Sequence, residues 1–414
     1  MKKEFTSRPV LACQLCANKK LEPVLFLGYL PPVNQMRTIG ETPVEQPSYP
    51  AQLLRCRRCG LFQLGLVVSA KILFPPEYPY TSGTTRILRE NFAELATDYQ
   101  QIIALEKNDL VVDIGSNDGT LLGNFTGICK VLGIEPTDQG KLARAKGIPT
   151  ITAYFSKAVA GAARKKHGLA KMVAATNVFA HIDDPHAVVE GILAMLSPDG
   201  VFVSESHYLA SLVETVQYDT IYHEHLRYYS LQSLSYLLGK HGLEIVHAKR
   251  IPTHGGSIRV YAARKGKIKV RSSVASLLDE EKSLLSDEGI KRFVSRVVSS
   301  KLELLRFFAD IKKEGKRVYG ISAPSRASTL VNYVGLDEGQ LESVLEIKGS
   351  HKIGKCMPGT LIPVEEESRL FTDPPDYALL LSWHIADELI PKLAQRGFKG
   401  GFIVPLPEPR LVRP

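Results

Sequence analysis

The densest concentration of titratable side chains is the stretch Gln217-Tyr-Asp-Thr-Ile-Tyr222-His-Glu224-His225-Leu-Arg-Tyr228-Tyr229-Ser. Histidine titrates near neutral pH and can accept a proton, while tyrosine can donate to a developing oxyanion. The spacing does not favour a metal, because the histidines are not at i and i+4 and adjacent strand residues point to opposite faces. We interpret the stretch as an acid–base cluster. The alternative is a polar surface segment above packed tyrosines, since dense titratable groups do not by themselves define a site.

Two cysteine pairs near the N-terminus have the spacing of metal ligands. Cys13-Gln-Leu-Cys16 and Cys56-Arg-Arg-Cys59 are separated by 39 residues. Four thiolates in two such knuckles can surround one zinc ion, and a redox role would instead need one pair at a helix start. The proline-rich segment between them is too short to hold a core alone. The sequence therefore predicts a structural zinc ion in place of one.

A glycine-bearing turn follows an apolar run that ends at Asp113. The turn, Gly115-Ser-Asn117-Asp-Gly119, leads into a helix-like apolar segment. Glycines allow a sharp turn and close ligand approach, and the amides at a helix start favour negative charge. The spacing is not that of a dinucleotide fingerprint, so an ordinary strand–helix turn is the alternative.

The same turn carries a resemblance once Glu135 is included. An acid about 20 residues after such a turn is well placed to hold a ribose diol. Asp113-x-Gly115-x-Asn117-x-Gly119 with Glu135 resembles motif I and the following acid of class I S-adenosylmethionine methyltransferases. The resemblance implies that the turn faces the methionine part of the cofactor and that Glu135 faces its ribose.

Alternating strand and helix patterns surround this turn and predict a doubly wound parallel α/β sheet. The stretch Lys171 to His181 is interpreted as a strand whose active end is Asn177–His181. Ligands of such sheets lie outside the carboxyl ends of the strands, so Asn177 becomes a cofactor residue and His181 a candidate for catalysis. A surface or core histidine is the alternative for His181.

Two further loops could face a substrate. The loop before the predicted helix Arg86–Leu105 contains Tyr78 and Tyr80, which could line a polar pocket or pack in a linker. The turn from His254 to Ser257 contains two glycines and leads into a strand expected at the edge of the sheet. Its amides could reach a substrate, but a plain hairpin turn fits the pattern equally well.

The C-terminal third predicts a helical connector, residues 267–313, and then a second Rossmann-like unit. That unit begins near Arg317, and its turn lacks Gly-x-Gly, so we expect no second nucleotide cofactor. Strands are expected at Leu341–Ile347, Tyr377–Leu381 and Gly401–Val404. Arg326 and Lys355 could grip a diphosphate, or could be solvated surface charges.

Composition limits the class of protein. A chain of 414 residues suggests two or three domains, and 44% apolar with 23% charged residues is typical of a soluble globular protein. No apolar run approaches the roughly 20 residues that span a bilayer, and the N-terminus does not have the pattern of a signal peptide, so we expect a cytoplasmic protein. The net charge of +9 is compatible with nucleic acid, with a phosphate-bearing small substrate or with a merely basic surface.

Taken in order, these motifs resemble the nucleotide-sugar C-methyltransferase family, typified by the C-3′-methyltransferases of branched deoxysugar biosynthesis. The cysteine pairs, Tyr78-x-Tyr80, the glycine turn, Tyr222–His225 and His254-Gly-Gly-Ser257 carry the resemblance, which covers essentially the whole chain. It implies a zinc-binding domain (1–75), an S-adenosylmethionine domain (76–265), and a connector with a second Rossmann-like domain (266–414). It also implies a substrate similar to a dTDP-linked 4-keto-6-deoxy sugar.

The resemblance assigns roles by position. His225 is the implied general base, Tyr222 and Glu224 orient the sugar and stabilise an enolate, and His181 lies between cofactor and sugar. Tyr80 is an implied catalytic residue reaching in from its loop. The implied substrate-binding residues are Tyr78, His254, Ser257, Arg326 and Lys355, although the family usually has lysine where Arg326 stands.

Two other functions remain open at this point. One is a zinc-ribbon RNA methyltransferase or nucleic-acid-binding protein, which needs an exposed basic and aromatic face beside the knuckles. Few aromatic residues accompany Lys19, Lys20, Arg55, Arg57 and Arg58. The other is a methyltransferase-like scaffold without catalysis. We expect neither a nucleic-acid nor a membrane partner, and the oligomeric state stays open, with a monomer as one alternative.

Overall fold

A computed structural model describes residues 7–42, 44–73 and 86–413. The N-terminal part contains β1 (Ser7–Pro9), β2 (Glu22–Leu30), β3 (Tyr49–Arg55), β4 (Phe62–Leu64), β5 (Leu66–Val68) and α1 (Ala70–Leu73). The central part contains α2 (Arg86–Gln100), β6 (Leu110–Ile114), α3 (Thr120–Gly123), β7 (Lys130–Ile134), α4 (Gln139–Ala145), β8 (Thr150–Ile151), α5 (Lys157–His167), β9 (Ala170–Thr176), α6 (Pro185–Met195), β10 (Leu196–His207), α7 (Leu209–Glu214), β11 (Arg227–Tyr228), α8 (Leu231–Lys240), β12 (Leu243–Ile251) and β13 (Ser257–Arg264).

The C-terminal part contains α9 (Ser272–Leu284), α10 (Asp287–Lys313), β14 (Val318–Ile321), α11 (Ser325–Val334), β15 (Ser343–Glu346), β16 (Val364–Glu366), α12 (Arg369–Thr372), β17 (Tyr377–Leu380), α13 (Ala386–Gln395), β18 (Gly401–Val404) and β19 (Arg410–Val412). Short 3-10 helices lie at Tyr218–Thr220, Thr253–Gly255 and Trp383–Ile385.

The central sheet confirms the predicted α/β class. Its seven strands have the order β12-β13-β10-β9-β6-β7-β8, with β10 through β8 parallel and β13 antiparallel to both of its neighbours. All five residues of β6 are buried, as expected for a strand covered on both faces of a parallel sheet. The carboxyl ends of β6 and β9 therefore lie side by side.

Two expectations about this sheet were wrong in detail. The strand after His254 is not at the edge, because β12 pairs with β13 on its outer side. The strand that was expected to reach His181 ends at Thr176, where Asn177 adopts a left-handed backbone with φ +58°. Asn177 and His181 therefore lie in the loop beyond the strand, which is where a ligand of a parallel sheet binds.

The N-terminal sheet is completed by a strand from the central part. Its order is β11-β4-β3-β2, and β11 pairs with β4 through Arg227–Gln63 and Tyr228–Phe62. β11 begins two residues after His225. The acid–base stretch is consequently attached to the N-terminal part through a backbone ladder.

The C-terminal part confirms a second Rossmann-like unit. Its six strands have the order β16-β15-β14-β17-β18-β19, all parallel except β19. The connector forms two helices, because Ser286 starts α10 by accepting a hydrogen bond from the Gly289 amide.

One apolar cluster joins all three parts. It contains Leu53 and Phe62 from the N-terminal sheet, Leu212 and Tyr218 from the central part, and Leu330 with its C-terminal neighbours. A continuous core of this kind fixes the three parts against one another. Among the described residues, no helix combines the length and hydrophobicity needed to cross a membrane.

Candidate active site

The four knuckle cysteines converge as predicted. Their sulfur atoms all lie within 4.8 Å of one another, with Cys13–Cys59 and Cys16–Cys56 separations of 3.4 Å. Tetrahedral zinc–thiolate bonds of about 2.3 Å place sulfurs about 3.8 Å apart, so the cluster fits zinc. All four cysteines are buried, and in the described part of the chain no other group has three or more potential ligands so close. The zinc prediction is confirmed.

The glycine turn has the backbone geometry of a close ligand contact. Gly115, Asn117 and Gly119 have φ values of +72°, +48° and +77°, a region that favours glycine. A Cβ at Gly115 would lie 2.5 Å from Val178 Cγ2, so a larger residue cannot fit. The Asn117 amide donates to Glu135 Oε2 at 3.0 Å, which ties the turn to the predicted ribose acid.

Three buried oxygen atoms near this edge of the sheet can still take part in hydrogen bonds. Asp113 Oδ1, Ser116 Oγ and Asn177 Oδ1 are buried without a hydrogen-bond partner. Such atoms are rare in folded proteins and indicate a missing ligand or water. Burial, followed by repulsion from Glu135 and Glu205, raises the pKa of Asp113 well above its ordinary value. The hydroxyl and amino groups of S-adenosylmethionine suit this arrangement, so the residues present fit the cofactor.

The acid–base stretch forms a buried turn rather than a strand. The amide of His225 donates to the Tyr222 carbonyl at 2.9 Å, and the Leu226 amide donates to the Ala180 carbonyl at 3.0 Å. The second bond ties this turn to the loop after β9. As a result His181 and His225 face each other, with ring centroids 5.0 Å apart.

The tautomer of His225 is set by its surroundings. Its Nδ1 lies 2.8 Å from the Thr220 carbonyl oxygen, which can only accept, so Nδ1–H is the donor. Nε2 is then the proton-accepting nitrogen of a neutral imidazole. Burial, followed by the nearby charge of His181, lowers the pKa of His225 to about 3. The side chain is therefore neutral and available as a base at neutral pH.

Four imidazoles form a row through the site. His225 lies between His181 and His207, with a His207–His225 centroid distance of 4.9 Å, and His254 stacks on His207 at 5.6 Å. Burial and then His225 lower the pKa of His207 well below its ordinary value. Sequence reasoning missed His207, which is the last residue of β10 and so lies at a carboxyl strand end, where ligands of such sheets bind.

Glu224 faces a cavity of about 400 Å³. The cavity lies between the N-terminal part and the loops after β9, and His181, Arg8 and Leu73 also line it. Asn34 Nδ2 donates to Glu224 Oε1 at 2.6 Å, and the Glu224 carbonyl accepts from His181 Nδ1–H at 2.7 Å. Burial raises the pKa of the Glu224 carboxyl to about 7, against the opposing hydrogen bond from Asn34.

Other predicted residues divide between the row and its surroundings. The Tyr222 ring lies 4.2 Å from that of His225, whereas His223 points away, with its Nε2–H donating to the Pro50 carbonyl at 3.2 Å. Ser257 Oγ donates to the Thr253 carbonyl at 3.0 Å, within the turn that carries His254. Tyr78 and Tyr80 lie outside the described residues.

The two cations expected at a diphosphate have different environments. Lys355 is half-buried, and its backbone forms an isolated antiparallel β-bridge with Thr38 of the N-terminal part. Arg326 is only 6% exposed, and its Nε and Nη2 donate to the two oxygens of Asp219, each at 2.8 Å. The guanidinium of Arg326 is thus held by a buried carboxylate rather than presented in an open groove.

Comparisons with known proteins match all three parts of the chain. A zinc binding domain family matches residues 13–74, a methyltransferase domain family matches residues 85–248, and the family described as C-methyltransferase C-terminal domain matches residues 252–407. The chain is 33% identical over 411 residues to the C-methyltransferase NovU of Streptomyces niveus, covering 98% of this chain and 97% of NovU.

Solved structures give weaker likenesses. A methyltransferase in complex with the Haloferax volcanii Trm112 activator is 16% identical, with a TM-score of 0.34 over 43% of this chain and 92% of that chain. Magnesium protoporphyrin IX methyltransferase from Synechocystis, with bound S-adenosylmethionine, is 13% identical, with a TM-score of 0.31 over 43% of this chain and 78% of that chain.

The consecutive family matches follow the order zinc, methyltransferase and C-terminal domain that the structure shows. The cofactors are S-adenosylmethionine, as the methyl donor, and a zinc ion held by the cysteine cluster. The match to NovU extends across all three parts of both chains. The chain therefore belongs to the C-methyltransferase family.

Proposed function

We propose that this protein methylates C-3′ of a nucleotide-linked 4-keto-6-deoxy sugar, with dTDP as the nucleotide, through a base-generated enolate. The observation that carries the proposal is the buried neutral His225, whose Nδ1–H is anchored on Thr220 and whose Nε2 is left to accept a proton. The preceding residue, Glu224, has a carboxyl pKa of about 7, and the Tyr222 ring lies 4.2 Å from the His225 ring. Such a set suits proton abstraction next to a ketone.

The ketone at C-4′ makes the C-3′ proton acidic, and His225 removes it. S-adenosylmethionine, when bound, supplies the electrophilic methyl group that the C-3′ carbanion takes up. Removal of the proton converts a neutral imidazole into an imidazolium, which burial alone disfavours. The enolate formed in the same step carries the opposite charge, so each ion stabilises the other in a site that excludes water.

Glu224 and Tyr222 are proposed to hold the sugar and its developing oxyanion. The Glu224 oxygen that accepts from Asn34 leaves the other oxygen for the ligand. With a pKa of about 7, this carboxyl is available in its protonated form, which donates a hydrogen bond. The family resemblance adds Tyr80 and places His181 between cofactor and sugar.

The proposed cofactor contacts are Asp113, Gly115, Asn117, Gly119, Glu135 and Asn177. The proposed sugar-nucleotide contacts are Tyr78, His254, Ser257 and Lys355. We leave Arg326 out of the phosphate contacts because Asp219 holds its guanidinium.

The nucleic-acid alternative lacks a supporting observation. The arginines beside the second knuckle are engaged, since Arg55 and Arg57 both bind Asp287 and Arg57 also binds Glu22. Exposed ion pairs of this kind leave little of the free positive face that phosphate binding needs.

The test is a methyl-transfer assay with labelled S-adenosylmethionine and dTDP-4-keto-2,6-dideoxyglucose. We expect the sugar nucleotide to gain the mass of one methyl group. In deuterium oxide without cofactor, we expect solvent deuterium to enter C-3′. His225→Asn should abolish both, whereas His247→Asn should not, because His247 on β12 bonds Ser273 away from the row.

Failure on this sugar with exchange on a related keto sugar would replace the substrate and keep the chemistry. Absence of exchange on every keto sugar, together with salt-dependent RNA binding, would overturn the proposal. Full activity of His225→Asn would overturn the assignment of the base.

A further inference from the structure

Asp219 is a fully buried carboxylate that the proposed chemistry does not use. It accepts two hydrogen bonds from Arg326, each at 2.8 Å, and one from Trp383 Nε1 at 2.7 Å. The Arg326 guanidinium also lies over the Trp383 ring, 4.9 Å from its centroid. Arg326 lies in the first turn of α11 and Trp383 follows β17, so both donors come from the C-terminal unit and the acceptor from the central part.

The next residue after Asp219 is the one that orients the base. The Thr220 carbonyl accepts from His225 Nδ1–H, while the Thr220 amide and hydroxyl both donate to the Gln217 carbonyl, at 3.1 and 2.8 Å. Arg326 Nη2 donates to the Gln217 side chain at 3.1 Å. Arg326 thus binds both Asp219, inside the short 3-10 helix that presents the Thr220 carbonyl, and Gln217, the residue just before that helix.

Arg326 reaches the second histidine segment as well. Its Nη1 donates to the His254 carbonyl at 3.3 Å, and His254 has a left-handed backbone with φ +57°. The His254 ring stacks on His207, which lies beside His225. One guanidinium therefore fixes two backbone segments that carry imidazoles of the row. Its positive charge also disfavours protonation of His225 and His254, in addition to their burial.

We propose that Arg326, with Asp219 and Trp383, positions the general base: the C-terminal unit holds the 3-10 helix so that the Thr220 carbonyl fixes the tautomer and direction of His225. This inference rests on the proposed function, because it assigns His225 as the base. It gives the C-terminal unit a part in the reaction without a ligand of its own. An unpaired buried carboxylate is costly, so this arrangement is complete only when the two units are docked.

The test compares Arg326→Gln and Arg326→Lys with the unaltered protein in methyl transfer and in C-3′ deuterium exchange. We expect Arg326→Gln to lower kcat and the exchange rate by about 10²-fold, the loss typical of a misplaced catalytic group. KM for the sugar nucleotide and the Kd of S-adenosylmethionine should not change. Arg326→Lys, which keeps the charge but loses the two-pronged contact, should recover part of kcat.

A spectroscopic reading separates positioning from loss of fold. In protein labelled with ¹⁵N-histidine, we expect His225 to show the Nδ1–H tautomer, and Arg326→Gln to give a mixture of tautomers. Arg296→Gln is the matched control, because Arg296 on α10 donates to the Glu214 carbonyl at 2.9 Å and so also joins C-terminal and central parts. It should leave kcat and tautomer unchanged.

The paired variant Asp219→Asn with Arg326→Gln removes both charges and avoids a buried unpaired carboxylate. Unaltered kcat in this variant would overturn the inference, as would a raised KM with unaltered kcat in Arg326→Gln, the result expected of a phosphate ligand. These outcomes leave the proposed function intact if His225→Asn is inactive. An active His225→Asn would instead remove the proposed function itself.

Discussion

Glu224 and His225 are adjacent in the chain, and burial moves their pKa values in opposite directions. It raises the pKa of the Glu224 carboxyl to about 7 and lowers that of the His225 imidazole to about 3. The cause is the same for both, because desolvation disfavours whichever form is charged. A buried acid and a buried base can therefore both be neutral at the same pH, which is the state that the proposed enolisation requires.

Acidification is expected to destabilise the protein through its buried histidines. The pKa values of His225, His254 and His384 fall to about 3, 4 and 3 because of burial, whereas the unfolded chain has ordinary histidines. Below a pH of about 6.5 the unfolded state therefore binds more protons than the folded state. The contribution of these histidines to the free energy of unfolding is full above that pH and is lost as the pH falls. Each such histidine contributes a slope of about 1.4 kcal/mol per pH unit.

Urea unfolding at a series of pH values measures that slope. His225→Asn should reduce it by up to one proton, whatever the substitution does to stability at neutral pH. An unchanged slope would show that His225 is not a buried neutral base in the folded protein.

Glu224 is expected to act in its protonated form. Because burial places its pKa at about 7, kcat/KM should fall as the pH rises through this value and the donor is lost. Glu224→Gln keeps an acceptor for Asn34 and supplies an amide donor, so it should retain activity without this inflection. A pH profile of kcat/KM that keeps the inflection in Glu224→Gln would contradict the assignment.

The segment between α7 and α8 is the element on which the three parts of the chain converge. It enters through Val216, which has φ +55°, forms the 3-10 helix at Tyr218–Thr220, turns at His225 and pairs with β4 as β11. The C-terminal unit holds its start through Asp219, and the N-terminal sheet holds its end. Long-range contacts therefore fix the position of His225 in a segment that local propensity alone would leave as an irregular loop.

The turn after β6 gives a test of cofactor binding. Gly115→Ala places a Cβ 2.5 Å from Val178 Cγ2 at φ +72°, so the turn must shift and S-adenosylmethionine should bind at least about tenfold more weakly, a loss of about 1.4 kcal/mol. Calorimetric titration measures this affinity. Gly123→Ala is the matched control, because a Cβ there meets nothing within 4 Å. Equal affinities of the two variants would contradict the placement of the cofactor.

Across the three parts, the N-terminal sheet connects the zinc site to the candidate active site. β4 follows the second cysteine pair, and its partner β11 contains Arg227, which donates to the Ile182 and Asp183 carbonyls beside His181. The knuckle cysteines also pack in one apolar cluster with β6 residues such as Leu110 and Val112. A structural ion in this position is expected to stabilise the wall of the cavity that Glu224 lines.

Removal of zinc is therefore expected to weaken methyl transfer before the central domain unfolds. A strong chelator should release one zinc ion per chain and raise KM for the sugar nucleotide, because a zinc knuckle loses its fold without the ion. Activity and bound metal are measured together, with zinc added back as the reversal. Cys56→Ser should mimic chelation and Cys356→Ser, outside the cluster, should not. Full activity without bound metal would contradict this role.

Features encoded by neighbours in the chain could be predicted from the sequence. Cysteine spacing predicted the zinc cluster, glycine spacing predicted the turn after β6, and apolar periodicity predicted the parallel sheet. Tyr222, Glu224 and His225 were singled out because their side-chain chemistry is concentrated in one short stretch. In each case the residues that interact are close in sequence or repeat with the period of their element, so the pattern survives without a structure.

Contacts between distant segments could not be predicted in this way. His207 lies beside His225 from a different segment. Asn34 and Glu224 are 190 residues apart in the chain, and Arg326 and Asp219 are 107 residues apart. Burial, which moves the pKa values of Glu224 and His225, likewise arises only when three parts close over one segment. The chemical types of the candidate catalytic groups can be read from one short stretch of sequence. Their partners, tautomers and protonation states depend on packing between distant elements, which sequence spacing does not encode.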